Sequence, residues 1–182
     1  MKKKGFTLVE LIAVMAILSI VLTTVYFIFN SYNKIYTNEY TDNTIETSGK
    51  VITEEISQNI KKASYASLSF NIESGNNINI FDSNGSNKII KVNNLVKPLI
   101  YLEQDNSSCY LYAIVENGHK KELHKFTYVN NNSSIDNSIS INVNDIVVRP
   151  QNNKSSFEIT AQVSYKNKTN TYVTTASLRK RS

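Results

Sequence analysis

Near the start of the chain, the 24 consecutive residues from Phe6 to Phe29 read FTLVELIAVMAILSIVLTTVYFIF and contain one side chain charged at neutral pH, Glu10. The other polar members are Thr7, Ser19, Thr23 and Thr24. As a helix rising about 1.5 Å per residue, the stretch spans roughly 36 Å, enough to cross a hydrocarbon core of about 30 Å with some tilt. Lys2, Lys3 and Lys4 precede it. By the positive-inside bias they place the N-terminus in the cytoplasm and the rest of the chain outside. A cleaved secretory signal would carry a small-residue cleavage site after a shorter apolar core, and TTVYFIFNS offers none. A lipoprotein would carry a cysteine just past the span, whereas the single cysteine, Cys109, lies far downstream.

A plain signal anchor has no use for Glu10. A carboxylate in a membrane segment costs on the order of 3 kcal/mol and marks a functional site by default. No Lys, Arg or His within the span can pair with it. A cut between Gly5 and Phe6 would free an α-amino group that, with an ordinary pKa near ~7.7–8.0, is largely protonated at neutral pH. A neighbouring copy shifted along its axis could bring its Glu10 to that amine. Two unit charges about 4 Å apart attract by about 4 kcal/mol at an effective dielectric of 20, enough to offset the burial.

The run Lys4-Gly5-Phe6-Thr7-Leu8-Val9-Glu10 closely resembles the class III signal of type IV pilins and type II secretion pseudopilins, G-F-T-L-x-E after a short basic leader. The resemblance covers the first thirty or so residues. It implies that a membrane-embedded prepilin peptidase cuts after Gly5 on the cytoplasmic side and N-methylates Phe6, which keeps the charge. It also implies that Glu10 pairs with Phe6 of an adjacent subunit during filament assembly. Many major pilins carry a proline in the apolar half of the helix; here both prolines, Pro98 and Pro150, fall in the later part of the chain.

From Asn30 to about Ala66 there is no proline, and apolar residues recur at Ile45, Ile52, Ile56, Ile60 and Ala63, at steps that keep them on one helical face. Lys34, Glu39, Asp42, Glu46, Lys50, Glu54, Glu55, Lys61 and Lys62 supply a wet face. The expectation is one helix from about Phe6 to Ala66, with its second half packed on a head domain. Gly49 is its weak point, costing about 1 kcal/mol relative to alanine and leaving room for a bend or fray, and the alternative is two separate helices.

Beyond Ala66 the period changes to two, as in residues 67–72, 77–80, 138–143 and 157–161, with further strands near 88–92, 99–103, 109–116, 122–129, 146–149 and 171–178. Turns are expected at Ser83-Asn84-Gly85-Ser86 and Asn117-Gly118. The loop Asn130-Asn131-Asn132-Ser133-Ser134 is expected to split the head into two β groups. The fold class is therefore α+β: a long N-terminal helix, membrane-spanning in its first half, on a mainly antiparallel β head.

Catalytic chemistry finds little support. With five glycines there is no G-x-x-x-x-G-K or G-x-G-x-x-G pattern, so nucleotide-dependent enzymes are disfavoured. One cysteine excludes an internal disulfide, and Cys109 reads as a core or partly buried strand residue. His119 and His124 lie five apart, not the four of H-E-x-x-H, and read as surface residues of a hairpin. Asp42, Glu54, Glu55, Asp136 and Asp145 read as solvated acids. No catalytic residue, metal ligand or cofactor is expected. The net charge of +5 is mostly leader, since taking three lysines from 20 basic residues leaves 17 against 15 acidic ones. Arg179, Lys180 and Arg181 then read as a solvated tail, and direct nucleic-acid binding is not expected. Asn, at 25 of 182 residues, suits polar turns.

A long helix, two β groups and a terminal strand closing on a basic C-terminus is similar to a minor pilin of the PilW or pseudopilin J kind. The expected organisation is a leader at 1–5, a transmembrane half-helix at 6–29, an amphipathic half at 30–66 and a β-rich head at 67–182. Implied partners are other pilin subunits, prepilin peptidase, the membrane, and an assembly platform driven by a cytoplasmic ATPase. The chain would be single-pass in the cell (inner) membrane and then part of a surface filament. A pseudopilin of a secretion or competence DNA-uptake system is the alternative, and a membrane-tethered enzyme or ligand-binding domain a more distant one.

Overall fold

The computed structural model describes residues 7–73, 77–105, 108–129, 134–140, 142–151 and 155–179. One helix, α1 (Leu8–Lys62), is followed by eleven strands: β1 (Ala63–Ser67), β2 (Phe70–Glu73), β3 (Asn77–Phe81), β4 (Asn87–Lys91), β5 (Leu95–Gln104), β6 (Ser108–Asn117), β7 (Lys120–Val129), β8 (Ser134–Ser140), β9 (Val143–Pro150), β10 (Ser156–Tyr165) and β11 (Lys168–Ser177). The chain divides into two compact units, Met1–Asp42 and Asn43–Ser182. The fold is α+β, with a head made of antiparallel sheets.

In the second unit the strands form a five-stranded sheet of order β1-β5-β6-β7-β8 and two three-stranded sheets, β11-β10-β9 and β2-β3-β4. The five-stranded sheet is covered on both faces, and the period of two in β6 divides its side chains between them. Tyr112 and Ile114 join a core with Ile45, Ile52, Ile56 and Ile60 of α1 and with Phe157, Ile159, Ala161 and Val163 of β10. Cys109, Leu111, Ala113 and Val115 point the other way, into a second core with Ile78 and Ile80 of β3 and Ile90 of β4. The register agrees: Ile114 lies opposite Leu123 on the first face, and Leu111 opposite Phe126 on the second.

The isoleucine stripe Ile45, Ile52, Ile56 and Ile60 is fully buried, as its spacing requires. Ala63 is buried too, but in β1 and not on the helix. The helix stops at Lys62 because Ala63–Ser67 pairs with β5, Ala63 facing Gln104 across a bulge. Lys61 and Lys62 in the last turn suit the negative end of the helix dipole.

The helix neither frays nor breaks at Gly49 but is continuous through it. A Cβ at this position would collide with the Tyr172 ring of β11. Glycine therefore allows a close approach of β11 to α1, and the propensity cost is met by packing.

The head divides differently from expectation. Residues 130–133 lie outside the described set, but the strands flanking them, β7 and β8, pair antiparallel within one sheet. The break falls instead at Asn142, which has φ of 67° in the left-handed region that Asn tolerates better than most residues. The expected strand 138–143 is accordingly split between β8 and β9. The expected strand 67–72 is divided as well, because β1 belongs to the large sheet and β2 to a small one. The expected turns are present, with Gly85 at φ 77° and Gly118 at φ 64°.

Candidate assembly site at the N-terminal helix

Lys2, Lys3, Lys4, Gly5 and Phe6, the expected leader charges, cleavage position and methylation site, lie outside the described residues. Glu10 is described, in the first turn of α1. Thr7 precedes the helix, and the two residues cap it reciprocally. The Thr7 backbone N–H donates to Glu10 Oε2 at 2.8 Å and the Thr7 hydroxyl donates to the same oxygen at 2.9 Å. In return Glu10 N–H donates to Thr7 Oγ1 at 3.3 Å. This is a capping box, T-x-x-E ahead of an apolar run, which satisfies two donors that a helix start leaves open.

The sequence signature of that box was present in Thr7-Leu8-Val9-Glu10, yet a search for a cation passes over it. Glu10 has neutral partners in its own first turn, before any second chain is considered. The hydroxyls of Ser19, Thr23 and Thr24 also bond locally. Ser19 Oγ donates to Ala16 O at 2.8 Å, Thr23 Oγ1 to Ser19 O at 2.7 Å and Thr24 Oγ1 to Ile20 O at 2.9 Å. Such bonds back to the preceding turn are what a helix needs where no water is present.

In this first unit the large apolar side chains from Leu8 to Tyr40 are all between 50 and 75% exposed. Apolar surface exposed on every side of a helix calls for lipid or other helices around it. The helix is long and apolar enough to cross a membrane.

The other titratable candidates have structural partners. His119 is exposed in the β6–β7 turn, but His124 is buried, contrary to the surface reading. Its Nδ1 lies 2.6 Å from Asp136 Oδ1 on β8 and its Nε2 3.1 Å from Glu122 Oε2 on β7. The His124 hydrogen bond holds the Glu122 carboxyl below its ordinary value against a smaller opposing effect of burial. The cluster fastens β8 to its neighbour, a role visible only once the strands are paired.

Glu55 is likewise not a solvated acid. Its Oε1 accepts from Lys125 Nζ at 2.6 Å and from the Tyr112 hydroxyl at 3.2 Å, while Asn59 Nδ2 donates to Tyr112 Oη at 2.8 Å. Burial raises the Glu55 carboxyl, but Lys125, Tyr112 and Asn59 outweigh it and leave the group below its ordinary value. Burial and the Glu55 charge push the Tyr112 phenol upward. Glu54 is exposed, and Asp145 pairs with Lys97 across β9 and β5. Cys109 is buried in the second core, with Lys88 Nζ 3.8 Å from its sulfur. Arg179 lies 3.5 Å from Asp105, both exposed, while Lys180 and Arg181 lie outside the described residues.

Residues 1–26 match the family model described as prokaryotic N-terminal methylation motif. No curated protein and no solved structure matches the chain. The chain thus carries a type IV pilin-like signal at the head of a helix long and apolar enough for a membrane.

Proposed function

We propose that the chain is a structural subunit, a minor pilin, of a type IV pilus or related pseudopilus. The observation that carries this reading is the methylation motif over residues 1–26, joined to a helix whose apolar side chains are bare from Leu8 to Tyr40. In this account residues 1–5 are a leader, 6–29 the membrane-spanning half of the helix, 30–66 its amphipathic half and 67–182 the head. Prepilin peptidase cuts between Gly5 and Phe6 and methylates the new amine. Lys2, Lys3 and Lys4 hold the leader on the cytoplasmic side.

The mechanism is an exchange of surroundings. In the bilayer, lipid covers the apolar helix and the leader keeps the N-terminus at the cytoplasmic face. After cleavage the charged amine of Phe6 and the carboxylate of Glu10 of a neighbouring subunit attract, setting the axial offset between helices. Neighbouring helices then replace lipid, while the head is unaltered and selects its neighbours through its surface. An assembly platform with a cytoplasmic ATPase supplies the work of extraction. The head contributes recognition and no chemistry.

Replacing Glu10 with alanine tests the reading. The expected result is loss of the subunit from sheared filaments by about tenfold or more, with processing and the melting of the head unchanged; 1.4 kcal/mol of the attraction suffices for a factor of ten. Full incorporation of Glu10→Ala would favour a helix that merely tethers the head.

A further inference from the structure

Both described hydrogen bonds from Thr7 to the Glu10 carboxylate end on one oxygen, Oε2. Among the described residues nothing bonds to Oε1. The Glu10 backbone N–H closes the arrangement by donating to Thr7 Oγ1, so the threonine hydroxyl is held between a donor and an acceptor on the same residue. A carboxylate has lone pairs for about four hydrogen bonds. Fixing one oxygen therefore sets the direction of the other without using it up.

We propose that Thr7 is a positioning residue for assembly: it anchors Oε2 of Glu10 and presents Oε1 to the cationic amine of a neighbouring subunit. The inference rests on the reading that Glu10 pairs with that amine. A glutamate without the threonine hydroxyl keeps only the Thr7 N–H on Oε2 and is less firmly ordered, so part of the attraction is spent on ordering it. With the hydroxyl, the carboxylate is ordered before the neighbour arrives, and the interaction made on arrival needs less reorganisation. The capping box thereby has two uses. It closes open backbone donors in a water-poor setting, and it aims the charge that an adjacent chain must find.

The experiment compares Thr7→Val, Thr7→Ser, Glu10→Gln and the double variant Thr7→Val/Glu10→Gln in the full chain, each expressed with the peptidase. Incorporation into sheared filaments is divided by the amount of chain shown by N-terminal sequencing to begin at Phe6. Valine keeps the branched shape and removes the hydroxyl, so incorporation is expected to fall about fivefold, the size of one lost cap. Serine restores it, and valine adds no further loss in the Glu10→Gln background because the charge it aims is gone.

Normal incorporation of Thr7→Val beside a defective Glu10→Gln overturns the positioning role and leaves the assembly reading standing. An equal loss from valine in both backgrounds overturns it too, since Thr7 then acts without Glu10. Normal incorporation of Glu10→Gln removes the assembly reading and the proposal with it. A second readout is independent of cleavage: the carbon-13 carboxyl resonance of Glu10 in detergent-solubilised full chain. It is expected to move in Thr7→Val and return in Thr7→Ser, and an unmoved resonance in valine contradicts the proposal.

Discussion

Two stretches of one helix solve opposite problems. Between Leu8 and Tyr40 the large apolar residues are exposed all round, and the few polar side chains in the apolar span turn back on their own helix. Between Ile45 and Ile60 the isoleucines are fully buried along one stripe, while polar side chains such as Glu55 and Asn59 reach out to Tyr112, Lys125 and Gln104 on the sheet. In the first stretch Ser19, Thr23 and Thr24 bond to carbonyls of their own helix. The second depends on residues far away in sequence for both its apolar and polar contacts. The difference teaches that helix formation is set locally, whereas what a helix is for is set by which groups it leaves unsatisfied.

The largest effects should come from the buried stripe. Ile56→Ala is expected to lower head stability by about 2–5 kcal/mol, as for other buried aliphatic truncations. Ile17→Ala, in detergent-solubilised protein, should leave the melting of the head unchanged. Denaturant unfolding followed by far-UV circular dichroism checks both, and equal losses would erase the distinction between the two stretches.

Gly49 sharpens the comparison from the side of propensity. Alanine favours an isolated helix by about 1 kcal/mol, yet Gly49→Ala should destabilise the head by about 1–3 kcal/mol, because the new Cβ meets the Tyr172 ring. The loss should shrink when Tyr172→Ala is added, and calorimetric melting of the two variants and the double variant measures the coupling. A stabilising Gly49→Ala would mean that β11 does not press on this turn.

Glu55→Gln is expected to cost about 1–2 kcal/mol near neutral pH, since Lys125 loses its ionised partner. The Glu55 carboxyl is lower in the folded than in the unfolded chain, so its contribution is fully present above the ordinary carboxylate range. It is lost as pH falls through the folded value. Melting temperature against pH should therefore fall less steeply in Glu55→Gln than in the unaltered chain below about pH 4.3. The smallest effect belongs to the exposed pair Glu46 and Lys50, one turn apart: Lys50→Ala should not measurably change the melting of the head.

Much of this was legible in the residues themselves. The membrane span follows from composition, and the stripe Ile45, Ile52, Ile56 and Ile60 from spacing alone. Alternation along 109–116 marks a strand, and the structure shows that both of its faces are covered. Partners were not legible. Nothing near Gly49 announces a ring 123 positions later, and nothing near Glu55 announces Lys125, because a period identifies a face but not what meets it. His124 reads as a surface residue for the same reason: Asp136, its partner, comes from β8, and no local pattern shows that β8 pairs with β7. The Thr7–Glu10 box is different. It is a purely local pattern, and it is missed only when the acid is assumed to need a cation.

The central claim is that the N-terminus is a processed assembly signal and not a permanent anchor. The most direct measurement is the intact mass and N-terminal sequence of membrane-extracted protein, made with and without a prepilin peptidase. The account predicts a chain that begins at Phe6, carrying one methyl group, only when the peptidase is present. Retention of Met1 to Gly5 in a host whose peptidase processes a control prepilin would contradict it.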